Sequence, residues 1–219
     1  MLGELHVYDD IEPRPAPLNM AIDEALLESA TCPSIRFYSW KGPALSFGYF
    51  GSYADVADQR FHREIVRRWT GGGVVLHGED LTYSVIIPAA HAFFAHSSVE
   101  IYSDVHDAIR QALRASDVEA ILATSAAPKV SGDCFANAVR ADVLSDGRKI
   151  AGAAQRRSRL GLLHQGSIQH PALPQRFPQD FARTLCDRFE RKSLSPELID
   201  RAHTIARAKY GTAEWLRRR

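Results

Sequence analysis

A cysteine and a lysine on either side of a predicted turn are the residues of this sequence best suited to chemistry on an acyl group. Cys134 precedes Lys149 by fifteen residues, and Asp146-Gly147 lies just ahead of that lysine. Asp-Gly between two strand-like runs favours a two-residue hairpin turn, because both turn positions need positive φ. The sequence therefore predicts strands at residues 141–145 and 148–155, with Lys149 held on the second strand.

Cys134 is open to two interpretations. An isolated cysteine in a cytosolic protein is usually a small buried side chain, whereas the polar residues on both sides of Cys134 favour a loop. A nucleophilic thiol must be partly deprotonated, and because its free pKa is about 8.5 it needs a nearby positive charge or base. Lys149, His77 and His164 are the candidates for that role.

Lys149 and the two histidines can also be interpreted as residues without a catalytic role. A strand lysine is commonly solvated, yet residues 150–154 after Lys149 are small and apolar. A lysine beside an acyl group can stabilise an oxyanion or polarise a carbonyl. His77 and His164 end or interrupt apolar strands, where a structural hydrogen bond fits as well as catalysis does. They match no metal-ligand spacing, so no metal site is predicted.

A second segment of interest is rich in glycine. The run VRRWTGGGVVLH places glycines at positions 71–73 after a predicted strand. Such glycines let the backbone approach a ligand and present its amides to an anion or a carbonyl. Arg67 and Arg68 alternate across the strand, so only one can face the glycines. A glycine-rich bulge without a ligand fits equally well, and neither a P-loop nor a dinucleotide fingerprint is matched.

These segments need a scaffold in which strands dominate the middle of the chain and helices lie between and after them. Further strands are predicted at residues 4–8, 34–40, 44–49, 65–69, 74–77, 81–87 and 160–169. Helices are predicted at residues 18–30 (with Asn19 as N-cap), 99–116, 179–190, 196–210 and 212–218. This order favours an α+β fold with a mixed, largely antiparallel sheet. We expect one domain over residues 1–219, with no accessory domain.

Composition limits the partners that the sequence predicts. The chain has 219 residues, a formal net charge of +1 and 45% hydrophobic residues, which are ordinary globular values. A nearly neutral chain gives no reason to expect nucleic acid or a membrane as a partner. Three distant cysteines disfavour a disulfide framework and a structural zinc site. No signal peptide or membrane span is recognised, so we expect a cytoplasmic protein.

Taken together, these segments resemble the lipoate/octanoate transferase and ligase family, whose fold is shared with biotin protein ligases. The resemblance covers nearly the whole chain, and its most specific parts are RRWTGGGVVLH and KIAGAAQ. It implies the biotin/lipoate protein ligase catalytic-domain fold around a medium-chain acyl group. It also implies that the product is an amide on a specific lysine of a lipoyl-carrier domain, either of the H protein or of a 2-oxoacid dehydrogenase E2.

The same resemblance implies roles for individual residues. Lys149 would contact the carbonyl or phosphate end of the acyl donor, and Cys134 would carry an acyl-thioester. The residues implied to bind the acyl group are Arg67, Arg68, Gly71, Gly72, Gly73, His77, Gly152 and His164.

Cys134 separates the reactions open to this family. In cysteine-dependent octanoyltransferases a Cys-Phe pair precedes the lysine, as Cys134-Phe135 does here, and transfer through a thioester needs no ATP. Octanoyl-acyl carrier protein or octanoylated H protein would be the donor, with no tightly bound cofactor. The alternative is an ATP-dependent lipoate-protein ligase acting through lipoyl-AMP, which would use lipoate, ATP and magnesium. A third possibility is a non-catalytic acyl sensor on the same fold.

Overall fold

The computed structural model describes residues 2–126, 135–170 and 173–218. The strands of these ranges form two β-sheets. The strands are β1 (Leu5–Arg14), β2 (Ser34–Trp40), β3 (Ala44–Phe47), β4 (Glu64–Arg67), β5 (Val74–His77), β6 (Leu81–Pro88), β7 (Ile121–Leu122), β8 (Val143–Ser145), β9 (Arg148–Ser158), β10 (Gly161–Ile168) and β11 (Phe189–Lys192). The α-helices are α1 (Ala16–Ser29), α2 (Ser98–Arg114), α3 (Phe177–Leu185), α4 (Pro196–Ile205) and α5 (Ala213–Arg217). A π-helical turn, Ala206–Tyr210, continues α4.

The sheets are mixed in direction. Across the described ranges, eight strands form the large sheet in the order β11-β1-β2-β6-β10-β9-β8-β7, and β4-β3-β5 form the small one. In the large sheet β1 runs parallel to β2 and β11, while the pairings from β2 onward to β7 are antiparallel. The predicted α+β class with a mixed, largely antiparallel sheet is therefore confirmed.

Helices cover both faces of the large sheet. The alternation of side chains along a strand sends Val85 and Leu162 to the face covered by α2 and α3, and Ile86 and Leu163 to the face covered by α1 and α4. Strands buried on both faces tend to contain consecutive apolar residues, as residues 85–87 of β6 do. No helix in the described part of the chain combines the length and apolar character needed to cross a bilayer.

The predicted hairpin is present, and it contains a bulge that the sequence did not reveal. Asp146 and Gly147 have φ of 49° and 72°, as the two-residue turn requires. Leu144 pairs with Lys149, but Val143 pairs with Ala151, so β9 carries one extra residue at this point. A bulge shifts the side-chain alternation by one position. It therefore turns Lys149 toward the face that Gly152 occupies.

Two local predictions were wrong. Helix α1 begins after Pro15 and not at Asn19, because Asn19 is fully buried and bonds to the Ser39 carbonyl and to Arg36. The predicted helix at residues 179–190 ends at Leu185, and its last part is the edge strand β11, which pairs with β1.

Candidate active site

A cavity lies between the α1 face of the large sheet and the small sheet. Its apolar walls come from Met20, Tyr38, Trp40 and Val75, and its floor includes residues 152–154 of β9. The cavity is narrow and opens to solvent at its mouth. A mostly apolar cavity with a few polar groups is the usual form of a small-molecule site.

One wall of the cavity is a chain of polar side chains. Arg68 Nη1 lies 2.6 Å from Ser46 Oγ, and Ser46 Oγ lies 2.6 Å from His77 Nε2. His77 Nδ1 lies 2.8 Å from Asp80 Oδ2. Because Arg68 can only donate, Ser46 accepts from Arg68 and donates to His77, which in turn donates to Asp80. Every step of this chain has a donor and an acceptor.

Burial keeps His77 neutral, and the hydrogen bonds of the polar wall keep Asp80 ionised. Burial lowers the pKa of His77, and the opposing effect of Asp80 does not reverse the shift. Burial alone would raise the pKa of Asp80, but the hydrogen bonds from His77, Ser167 and Thr82 lower it below the ordinary value. The His77 ring also stacks on Trp40, with 4.1 Å between ring centres. The imidazole is therefore fixed in one orientation.

Arg68 also holds the glycine segment in place. Its Nη2 donates to the Gly71 carbonyl at 3.0 Å and to the Gly73 carbonyl at 2.9 Å. Gly72 has a φ of +85°, and a Cβ there would lie 3.3 Å from the Ala154 Cβ. The segment thus forms a loop that covers β9 at the cavity, and glycine is required at position 72.

A buried network behind the cavity fixes the start of this loop. Thr70 Oγ1 donates to Gln165 Oε1 at 2.8 Å, and Gln165 Nε2 donates to Asp23 Oδ2 at 2.7 Å. The other oxygen of Asp23 accepts from Arg36 at 2.8 Å. Both Asp23 and Arg36 are fully buried, so each charge has its counter-charge in place.

Arg67 points away from the cavity. Its guanidinium donates to the carbonyls of Tyr49 and Gly51, and to those of Trp215, Leu216 and Arg218 in the C-terminal segment. Burial lowers its pKa. Of the two neighbouring arginines, Arg68 alone faces the glycine loop, whereas Arg67 fastens α5 to the small sheet.

Lys149 is buried beside Asp142. Its Nζ lies 2.8 Å from Asp142 Oδ2, and the two side chains are 3% and 0% exposed. The carboxylate also accepts the Val139 amide at 2.6 Å and the Tyr102 hydroxyl at 2.5 Å. A buried ammonium paired in this way can stabilise negative charge on a nearby oxygen atom.

The lysine lies at the junction of the cavity and an outer groove. Gly152, which lines the cavity, is in direct contact with the Lys149 side chain. The groove on the other side is lined by Lys149, Phe135 and His170. Lys149 Nζ lies 5.5 Å from the centre of the Phe135 ring. Cys134 itself lies outside the described residues.

The structure does not bring His164 to this cavity. Its Nε2 meets the Tyr83 hydroxyl at 3.2 Å and its Nδ1 meets Gln155 at 3.0 Å. Its ring packs against Tyr102 and His106 of α2. Because Gln165 faces α1, the adjacent His164 must face α2. Burial, with a smaller effect of His106, lowers its pKa well below the usual value.

Several residues of the site were missed by the sequence analysis, among them Ser46, Trp40 and Asp142. Ser46 and Trp40 carried no signal of their own. Asp142 could have been found, because the predicted hairpin places it diagonally across from Lys149, where opposite charges stabilise a strand pair. Within the ranges that the structure describes, His, Cys, Asp and Glu side chains form no group of three suited to a metal ion.

Comparison with known proteins gives consistent results. The family model for the lipoyl protein ligase A/B catalytic domain matches residues 15–182. Octanoyltransferase LipM of Oceanobacillus iheyensis is 38% identical over 71% of this chain and 60% of that protein. Octanoyltransferase LipM of Geobacillus kaustophilus is 33% identical over 89% of this chain and 79% of that protein. The chain thus spans about 60% of the length of the former relative.

Solved structures share the fold. A lipoate-protein ligase A bound with ATP superimposes with a TM-score of 0.78 at 19% identity, over 99% of this chain and 98% of that one. The bi-partite lipoate protein ligase of Thermoplasma acidophilum, studied with its E2 lipoyl domain, gives 0.74 at 20% identity, over 97% and 96% of the two chains. The expected lipoate protein ligase fold is therefore confirmed.

Proposed function

The chain belongs to the lipoyl protein ligase A/B catalytic-domain family, and from this premise we propose that it transfers an octanoyl group to the lysine of a lipoyl-carrier domain through a thioester on Cys134. The observation that carries the proposal is the buried Lys149–Asp142 pair between the apolar cavity and Phe135. Phe135 directly follows Cys134 in the sequence, and its contact with Lys149 supports the proposal that Cys134 and Lys149 act together.

The cavity suits the tail of a medium-chain acyl group. Met20, Trp40 and Val75 offer apolar surface, and burial of each methylene of the chain is favourable by about 0.8 kcal/mol. The acyl carbonyl would lie at the Gly152 end, beside Lys149. Arg68, Gly72 and the other residues of the glycine loop would close the cavity over the chain.

The first step is acylation of Cys134. Its thiolate attacks the thioester carbonyl carbon of the donor, a new C–S bond forms, and the bond to the carrier sulfur breaks. The carrier leaves as a thiol, which takes the proton that Cys134 lost. Negative charge develops on the carbonyl oxygen, and the Lys149 ammonium stabilises it. One thioester replaces another, so the step needs no ATP.

The second step is transfer to the acceptor. The neutral amine of the carrier-domain lysine attacks the Cys134 thioester, a C–N bond forms, and the C–S bond breaks. The proton released by the amine returns to the Cys134 sulfur. The donor is octanoyl-acyl carrier protein or octanoylated H protein, the acceptor is a lipoyl domain of the H protein or E2 type, and no tightly bound cofactor takes part. The single domain of residues 1–219 performs both steps.

Intact-mass spectrometry tests the thioester directly. After incubation with octanoyl-acyl carrier protein, we expect one added octanoyl group that hydroxylamine removes. Cys134→Ala should show no adduct and no transfer, whereas Cys32→Ala should retain both, because Cys32 is a buried thiol whose neighbours, Glu4, His6 and Cys186, do not line the cavity. An active Cys134→Ala variant would exclude the covalent mechanism.

The same assay separates the competing reactions. Lipoate with ATP and magnesium replaces the octanoyl donor in a parallel reaction, with one lipoyl domain as acceptor in both. Pyrophosphate release with modification of the domain would identify an ATP-dependent ligase. Tight octanoate binding without modification of any carrier domain would identify a sensor.

A further inference from the structure

We propose that Tyr102 is a positioning residue for Lys149, because its hydroxyl holds the Asp142 carboxylate in the orientation that pairs with the lysine ammonium. The kinetic part of the test rests on the proposed function. A second part does not depend on it.

The hydrogen bonds assign the direction of the Tyr102 proton. The Ala153 amide, which can only donate, lies 3.2 Å from the Tyr102 hydroxyl oxygen. The hydroxyl must therefore accept from Ala153 and direct its own proton to Asp142 Oδ1, 2.5 Å away. The other carboxylate oxygen, Oδ2, faces Lys149 Nζ at 2.8 Å. The Tyr102 hydroxyl thus links Asp142, the partner of Lys149, to the backbone of Ala153 on the cavity floor.

Helix α2 supports the same carboxylate at a second point. His106 lies one turn after Tyr102 on the same face of the helix, and its Nδ1 donates to the Ala141 carbonyl at 2.7 Å. Ala141 has a φ of 68°, which is unfavourable for a residue with a Cβ. The two side chains of α2 thus hold consecutive residues, Ala141 and Asp142, in a conformation that the chain would not favour alone.

Through Asp142, Tyr102 of α2 determines the position of the Lys149 ammonium, and it needs no contact with the substrate to do so. If the hydroxyl is removed, Asp142 Oδ1 loses its partner and the carboxylate can rotate away from Lys149. The ammonium then loses its fixed position at the Gly152 end of the cavity. A hydrogen bond to a charged group corresponds to roughly tenfold to a hundredfold in rate.

Steady-state octanoyl transfer by the full chain measures this effect. We expect Tyr102→Phe to lower kcat roughly tenfold to a hundredfold, with the KM for octanoyl-acyl carrier protein unchanged. Tyr83→Phe is the matched control, because its hydroxyl bonds to His164 and not to Asp142; its kcat should equal that of the wild type. In an Asp142→Asn background, Tyr102→Phe should have almost no further effect, since both changes interrupt one interaction.

Chemical labelling tests the placement of Lys149 independently of activity. Acetic anhydride labelling followed by peptide mass spectrometry reports the accessibility of the amine, which is low in the wild type because the side chain is 3% exposed. Lys149 should label several-fold faster in Tyr102→Phe and at the wild-type rate in Tyr83→Phe. If the wild type transfers no octanoyl group, the proposed function fails while labelling still decides the role of Tyr102. Wild-type labelling of Tyr102→Phe, or additive losses in the double variant, would overturn the proposal.

Discussion

The Lys149 side chain lies directly across Gly152, in the space that any larger residue would fill. A Cβ at position 152 would lie 2.3 Å from Lys149 Cε and 2.6 Å from Nζ. The bulge after Lys149 brings the two residues to one face of β9. Glycine is therefore needed at position 152 for the place of the amine, and not for an unusual backbone conformation.

Gly152→Ala should strongly slow octanoyl transfer while leaving the fold intact. The added methyl group meets the end of a flexible side chain, so Lys149 can move aside without a change in the backbone, although its buried pair with Asp142 is weakened. In the proposed mechanism Lys149 stabilises the oxyanion, so its displacement is expected to lower kcat by about a hundredfold or more. Transfer kinetics and thermal unfolding of the same preparation measure the two effects.

Gly42→Ala is the control for that variant, because a Cβ there would meet nothing within 4 Å. It should have wild-type kcat and an unchanged unfolding temperature. A Gly152→Ala enzyme with wild-type kcat would show that the position of the Lys149 amine does not limit the reaction.

Arg68→Met should weaken binding of the acyl donor. The variant loses the bonds that tie Arg68 to Ser46 and to the Gly71 and Gly73 carbonyls. Without these bonds the glycine loop no longer closes on the cavity in one conformation. Ordering the loop when the donor binds then costs free energy. We expect the KM for the octanoyl donor to rise roughly tenfold, with a smaller change in kcat, as measured by initial rates.

Arg67→Met should instead lower stability. It removes the donor that serves the carbonyls of Tyr49, Gly51 and the C-terminal segment, leaving partly buried acceptors unpaired. The expected loss is about 2–4 kcal/mol in the free energy of unfolding, measured by urea titration. The donor KM should stay near the wild-type value where the protein is folded. A raised KM with unchanged stability would mean that Arg67 acts at the cavity after all.

The hairpin could be predicted because its causes are local. Asp146-Gly147 specifies a turn with two positive φ angles, and strand-like runs flank it on both sides. The bulge could not be predicted in the same way. Asp142, next to the bulge, bonds to Tyr102, which lies forty residues earlier in the chain, and no local pattern signals such a contact. The sequence therefore placed Lys149 on a strand but could not tell which face it occupies.

The same limit explains the placement of the other site residues. Alternation along β4 requires Arg67 and Arg68 to face opposite ways, but which one meets the glycine loop is decided by the C-terminal segment that packs over Arg67. His164 shares a motif with Gln165, yet the register of β10 against β6 and β9 gives the cavity side to Gln165. The role of Cys134 stays a prediction.

Acidification should destabilise the fold through His106. Its Nε2 has no hydrogen-bond partner among the residues that the structure describes, and burial, with the nearby Lys149 charge, lowers its pKa to about 4. In the unfolded chain the pKa is about 6.5. Between these two pH values the unfolded state therefore binds a proton that the folded state does not bind. The contribution of neutral His106 to the free energy of unfolding is therefore fully present above pH 6.5. It is lost as the pH falls toward 4, by about 1.4 kcal/mol per pH unit.

Urea unfolding at several pH values between 4.5 and 7.5 checks this slope. His77 and His164, whose pKa values are also lowered by burial, should add to the loss in the same direction. His106→Asn keeps a donor for the Ala141 carbonyl but cannot titrate. The change in its free energy of unfolding with pH should therefore be smaller than that of the wild type, by the contribution of one proton. His62→Asn changes an exposed side chain and should leave the slope unchanged. Equal slopes for His106→Asn and the wild type would mean that His106 takes up its proton without unfolding.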